Sequence, residues 1–105
     1  MNQRFDSYAI TYIGGPKKPK LRGAYVYCFN GSNTVGLLQF FVESADVEQN
    51  SYDGQKIIIS YDITRFKDVL QILQQEKPLY LYYDNSGYAY VGTWDKEPTG
   101  EQEGV

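Results

Sequence analysis

Residues 56–81 read KIIISYDITRFKDVLQILQQEKPLYL, and the period of their apolar positions changes twice. Ile57, Ile59 and Tyr61 alternate as in a strand, whereas Ile63, Phe66, Val69, Leu70 and Leu73 recur at helical spacing. Asp62 stands at the junction, where its carboxylate can accept the backbone N–H of Thr64 or Arg65 and cap a helix. Tyr61 and Phe66 then occupy the N′ and N4 positions of a hydrophobic staple. Thr64, Lys67, Asp68, Gln71, Gln74 and Gln75 fall on the opposite, polar side. Pro78 forces Lys77 toward extended geometry, so the helix ends before it and a strand begins at Leu79. This is the only helix the sequence predicts.

Working outward, residues 5–13, 21–29 and 34–43 alternate as strands. The segment GGPKKPK at 14–20 breaks the first from the second, and Asn30-Gly31-Ser32-Asn33 joins the second to the third as a hairpin. Residues 44–55 are polar and predict a long loop, with Asp53-Gly54 turning into the next strand. Downstream, residues 79–84 and 88–94 flank Asn85-Ser86-Gly87, a second hairpin. The order β-β-β-β-α-β-β predicts an α+β domain over residues 1–95. It is expected to be a six-stranded, mostly antiparallel but mixed, curved sheet with the helix on one face. The strand–helix–strand connection is expected to cross over to a parallel strand. The alternative is a strongly curved sheet or small barrel with the helix plugging one end. Residues 96–105 predict a flexible acidic tail.

Net charge is −3, there is no histidine, and Cys28 is the single cysteine. An internal disulfide is therefore excluded, and a lone thiol suits a reducing compartment. The opening residues carry no apolar run of export length, and no segment approaches the roughly 20 residues of a membrane span. A cytoplasmic protein without membrane contact is the expectation. The sequence contains 11 Tyr beside 5 Phe and 1 Trp, which favours sheet structure with more than one face in use.

Alternation divides those strands into two unlike faces. Ala24, Val26, Cys28, Leu38, Phe40, Val42, Ile57, Ile59, Leu79, Leu81, Ala89 and Val91 share one, suited to lying beneath the helix. Tyr25, Tyr27, Phe29, Tyr80, Tyr82, Tyr88, Tyr90 and Trp94 share the other, which is aromatic throughout. A helix about 10–12 Å wide is too narrow for six strands whose outer axes stand roughly 24 Å apart. The aromatic face therefore calls for cover: the sheet curling on itself, a second copy in a homodimer, or a ligand.

Motifs for chemistry are few. Gly14-Gly15-Pro16-Lys17-Lys18 places lysines after glycines, but a strand follows where a phosphate-cradling loop needs a helix. Lys17, Lys18, Lys20 and Arg22 are possible phosphate contacts in what reads chiefly as a solvated basic loop. Arg22-Gly23-Ala24-Tyr25-Val26-Tyr27-Cys28-Phe29 partly resembles the RNP1 segment of RNA-recognition motifs, whose strand aromatics stack on bases. That family has two helices, and an acidic chain lacks the field that drives nucleic-acid affinity. Without histidine the commonest general base and metal ligand are missing, and Asp46, Glu48 and Asp53 do not follow a calcium-loop pattern. No cofactor, metal or catalytic residue is expected.

Glu76-Lys77-Pro78-Leu79-Tyr80-Leu81-Tyr82-Tyr83, then Gly92-Thr93 and Glu97-Pro98-Thr99-Gly100-Glu101, resemble a small family of uncharacterised bacterial proteins, as do Phe5-Asp6-Ser7-Tyr8 and Gly14-Gly15-Pro16. The resemblance implies a bacterial or phage-related origin and carries no activity. The sequence thus predicts a non-enzymatic interaction module that homodimerises or binds a protein partner through its aromatic face. Binding of single-stranded nucleic acid or a small ligand on Tyr25, Tyr27 and Phe29 is the alternative.

Overall fold

In the computed structural model, which describes residues 1–15, 21–75 and 78–93, the strands divide between two sheets. The strands are β1 (Asn2–Phe5), β2 (Ser7–Tyr12), β3 (Arg22–Asn30), β4 (Asn33–Phe41), β5 (Ser51–Tyr52), β6 (Ile57–Asp62), β7 (Leu79–Tyr83) and β8 (Ala89–Gly92). A 3-10 turn over Ile63–Arg65 leads into the helix α1 (Phe66–Leu73). One sheet has the order β1-β7-β8 and the other β2-β3-β4-β6-β5. All pairings are antiparallel except β4 with β6.

The expected α+β class, single helix and largely antiparallel pairing are present, but one six-stranded sheet is not. Two local causes account for the difference. The stretch expected to be one strand over 5–13 is interrupted at Asp6, whose N–H donates to the Phe29 carbonyl at 2.8 Å. The Asp6 carboxylate accepts from the Gly31 N–H, pinning a corner at which the chain leaves one sheet for the other. Residues 2–4 before that corner are polar, so no apolar period announces β1, which forms because β7 offers it an edge. The second cause lies in the connections. The parallel pair is β4 and β6, joined through residues 42–56, while β6 and β7, which flank the helix, belong to different sheets.

Asp62 caps as its sequence implies, but the turn it caps is the 3-10 turn, and α1 itself begins only at Phe66. Asp62 accepts from the Thr64 N–H at 2.9 Å, and the Ser44 hydroxyl donates to the same carboxylate. Tyr61 and Phe66 meet through Phe40, which stacks on Tyr61 at 5.1 Å and meets Phe66 edge-on at 5.0 Å. Both hairpins form where expected, with Gly31 at φ +62° and Gly87 at φ +91° in their turns. Left-handed backbone of this kind favours glycine.

The aliphatic residues of both sheets face each other and form one core, closed on a further side by Val69 and Leu73 of α1. Ala24, Val26, Cys28, Leu38, Phe40 and Leu81 are fully enclosed. At Gly36 of β4 the layers come close together. A Cβ there would stand 2.1 Å from Leu81 Cδ1 and 3.3 Å from Cys28 Cβ. Gly36→Ala is expected to cost about 1–3 kcal/mol by overpacking, read from urea unfolding. Because the clash is with one side chain, Leu81→Ala should destabilise the Gly36→Ala background less than it destabilises the natural chain, a coupling a double-mutant cycle measures.

Candidate interaction surface

With the aliphatic faces buried against one another, the aromatic positions are turned outward on two separate layers, not on one face. Tyr25, Tyr27 and Phe29 lie on the outer side of β3, in the five-stranded sheet. Tyr80 and Tyr82 of β7 and Tyr90 of β8 lie on the outer side of the three-stranded sheet, with Tyr88 just before β8. Trp94, Lys17, Lys18 and Lys20 lie outside the described residues, as does the 96–105 tail.

The three-stranded sheet carries the denser ring cluster. Tyr82 pairs across the strands with Tyr90, and their rings stack at 5.0 Å with planes 11° apart. Tyr88 meets both rings edge-on, at 6.0 Å from Tyr82 and 5.9 Å from Tyr90. Each such contact is worth about 0.5–1.5 kcal/mol beyond area burial, so the rings favour one another's company in the arrangement seen. Tyr88 remains 61% exposed. On β1, Asn2 stands opposite Tyr82 and Arg4 opposite Tyr80, which gives the patch a polar margin. Partial burial, reinforced by the nearby Asp84 charge, raises the Tyr82 hydroxyl above its ordinary pKa. Asp84 itself is held below the usual carboxylate range, chiefly by the Ser86 hydroxyl and then by the Ser86 backbone N–H in the turn.

The outer side of the five-stranded sheet is more occupied. Leu37, Gln39 and Phe41 of β4 are buried although they alternate with the core residues Leu38 and Phe40. The connection 42–56, with residues 44–55 expected as a polar loop, contains a 3-10 turn at Ser44–Asp46 and the short strand β5. Glu48 and Asn50 of this connection bond to the sheet. A crossover between parallel strands has to pass over one face of their sheet, and this one brings polar groups to it.

Gln39, only 3% exposed, is satisfied on every side: Arg22 donates to its Oε1 at 3.2 Å, and its Nε2 donates to Ser60 at 2.9 Å and Glu48 at 3.3 Å. Asn50 accepts from the Ser60 N–H and donates to the Gly87 carbonyl, both at 2.9 Å. Gln39 and Asn50 carried no signal in the sequence beyond one amide inside an apolar run. Arg22, considered for phosphate contact, lies 5.0 Å over the Tyr25 ring while it bonds Gln39. Tyr25 and Tyr27 stack at 6.4 Å along the same strand.

Cys28 and Tyr61 are shielded, and Asp53 is tied into its turn. Burial pushes the Cys28 thiol up to about 12 and the Tyr61 hydroxyl to about 12. Asp53, in the turn before β6, is held well below the carboxylate range by the Lys56 ammonium at 2.8 Å and by backbone N–H groups of Lys56 and Gln55. Among the described residues no three His, Cys, Asp or Glu side chains are grouped as metal ligands, and no helix is long and apolar enough to cross a membrane. A groove of about 270 Å³ runs beside Arg4, Asp6, Tyr8 and Gln75, and a depression of about 330 Å³ beside Glu48, Asn50 and Ser60.

No protein-family model matches the chain, and neither a curated protein nor a solved structure matches it.

Burial of Cys28 and Tyr61 sets an alkaline limit. Both keep their protons in the folded state past the pH at which the unfolded chain loses them, near 9.0 for the thiol and 10.0 for the phenol. Their contribution is therefore complete below about pH 9 and declines up to about pH 12. Urea midpoints measured across this range should fall from pH 9 upward, and Cys28→Ala should delay the onset by about one pH unit.

Proposed function

We propose that this chain is a non-catalytic interaction module that docks a protein partner on the Tyr80, Tyr82, Tyr88 and Tyr90 face of its three-stranded sheet. The supporting observation is the Tyr82–Tyr90 stack with Tyr88 edge-on and largely exposed. Tyrosines pre-ordered by their neighbours present apolar area and hydroxyls together and lose little side-chain entropy when a partner arrives. Arg4 and Asn2 at the margin supply donors for orientation. A reducing bacterial cytoplasm fits the single buried thiol and the resemblance of the two ends of the chain to bacterial proteins.

The nucleic-acid reading has Tyr25, Tyr27 and Phe29 on one outer face in its favour. It is the weaker one, because Arg22 already covers Tyr25 and bonds Gln39, and the chain is acidic.

The test compares the natural chain with Tyr88→Ser/Tyr90→Ser, whose fold is verified by circular dichroism, in affinity capture from cells that make the protein, followed by titration of each captured partner. Loss of two central rings should weaken a partner's binding by about tenfold or more. Equal binding by both chains, or no partner captured by either, overturns the proposal. Titration with single-stranded oligonucleotides should leave tyrosine fluorescence unchanged, and a salt-dependent change would favour the other face.

A further inference from the structure

Each sheet ends in two edges, and three of the four are blunted by familiar devices. β5 is two residues long and adjoins the Asp53–Lys56 ion pair. β1 has four residues and carries Arg4, and β8 has four and ends at Gly92. Short strands, charges and glycines of this kind discourage edge pairing. β2 differs. Ser7-Tyr8-Ala9-Ile10-Thr11-Tyr12 contains neither charge nor proline, and among the described residues β3 is its only strand neighbour.

The direction of its free groups follows from the ladder. Ile13 N–H donates to the Gly23 carbonyl at 2.8 Å, in register with the pairs Thr11–Tyr25 and Ala9–Tyr27. Bonding alternates along an antiparallel pair, so Ala9 and Thr11 bond β3 while the N–H and C=O groups of Tyr8, Ile10 and Tyr12 point away from it. The same strand exposes apolar area: Ile10 is 41% exposed and Tyr12 68%.

We propose that a second copy of this chain pairs antiparallel along β2, about a twofold axis between the two Ile10 residues, joining the five-stranded sheets into one continuous sheet. Self-complementarity selects this occupant. With Ile10 opposite the partner's Ile10, Tyr8 lies opposite the partner's Tyr12, and every outward N–H meets an outward carbonyl. The rings of Tyr8 and the partner's Tyr12 then share a face, and Asp6 falls opposite the partner's Gly14, so no like charges meet. The inference is independent of the tyrosine surface, which lies on the other sheet.

Sedimentation velocity on the full chain from about 1 µM to about 1 mM tests it. The natural chain should pass from monomer to dimer within that range. Ile10→Lys, which sets two ammonium groups face to face, should raise the dissociation constant about tenfold or more. Hydrogen exchange on the natural chain supplies a readout free of substitution: the amides of Tyr8, Ile10 and Tyr12 gain protection as concentration rises, and those of Ala9 and Thr11 do not change. Tyr88→Ser/Tyr90→Ser should dimerise like the natural chain. A chain monomeric at every concentration, or a dimer indifferent to Ile10→Lys, overturns the proposal. A dimer lost only in the tyrosine variant assigns self-association to the other sheet instead.

Discussion

Contact between two β layers at Gly36 and Leu81 is the constraint on which the rest of the molecule depends. A short helix has room to cover only part of a broad sheet, so the aliphatic positions of β3, β4 and β6 need a second apolar layer. The sheet of β1, β7 and β8 supplies it, and the absence of a side chain at Gly36 lets Leu81 approach closely enough to exclude solvent. Close packing of this kind contributes dispersion contacts as well as area removed from water.

Once the aliphatic faces have met, the placement of everything polar or aromatic follows. The outer side of the five-stranded sheet receives the crossover 42–56, whose Glu48 meets the buried amide of Gln39. Burying an amide without partners would cost more than its bonds contribute, so Arg22, Ser60 and Glu48 around Gln39 form a structural unit that draws Arg22 away from ligand chemistry. The outer side of the smaller sheet gains no such polar cover in the described residues and instead carries tyrosines packed on one another. Two surfaces are left over after core formation: an aromatic patch on one sheet and an unblunted edge on the other.

Much of this was legible from local pattern. The spacing from Ile63 to Leu73 marks a helical stretch, which is a 3-10 turn capped by Asp62 and then α1, and the glycines at 31 and 87 mark turns whose backbone requires them. The inward positions Ala24, Val26, Leu38, Phe40, Ile57, Ile59, Leu79, Leu81 and Val91 were correctly grouped by alternation. What misled was continuity. The alternation through Phe5 and Tyr8 crosses Asp6 without a break, although the chain changes sheets there, and the polar residues 2–4 hide a strand altogether. Tyr25, Tyr27, Tyr80, Tyr82 and Tyr90 alternate with the buried positions of their strands as the pattern implies, yet gathering the aromatic positions on a single face required a single sheet.

The sequence alone determined which residues of β3, β4, β6, β7 and β8 belong to the aliphatic side, where the chain turns from strand toward helix, and where the two hairpins reverse, because these depend on neighbours within a few positions. Only the tertiary structure decided that the strands form two layers, that Gln39 is buried, and that the tyrosines divide between opposite sides of the molecule. These outcomes depend on pairings between residues distant along the chain, such as Gln3 with Leu81 and Leu38 with Ile59. Period-two alternation says which way a side chain points from its own strand, but it is the same whichever strand lies alongside.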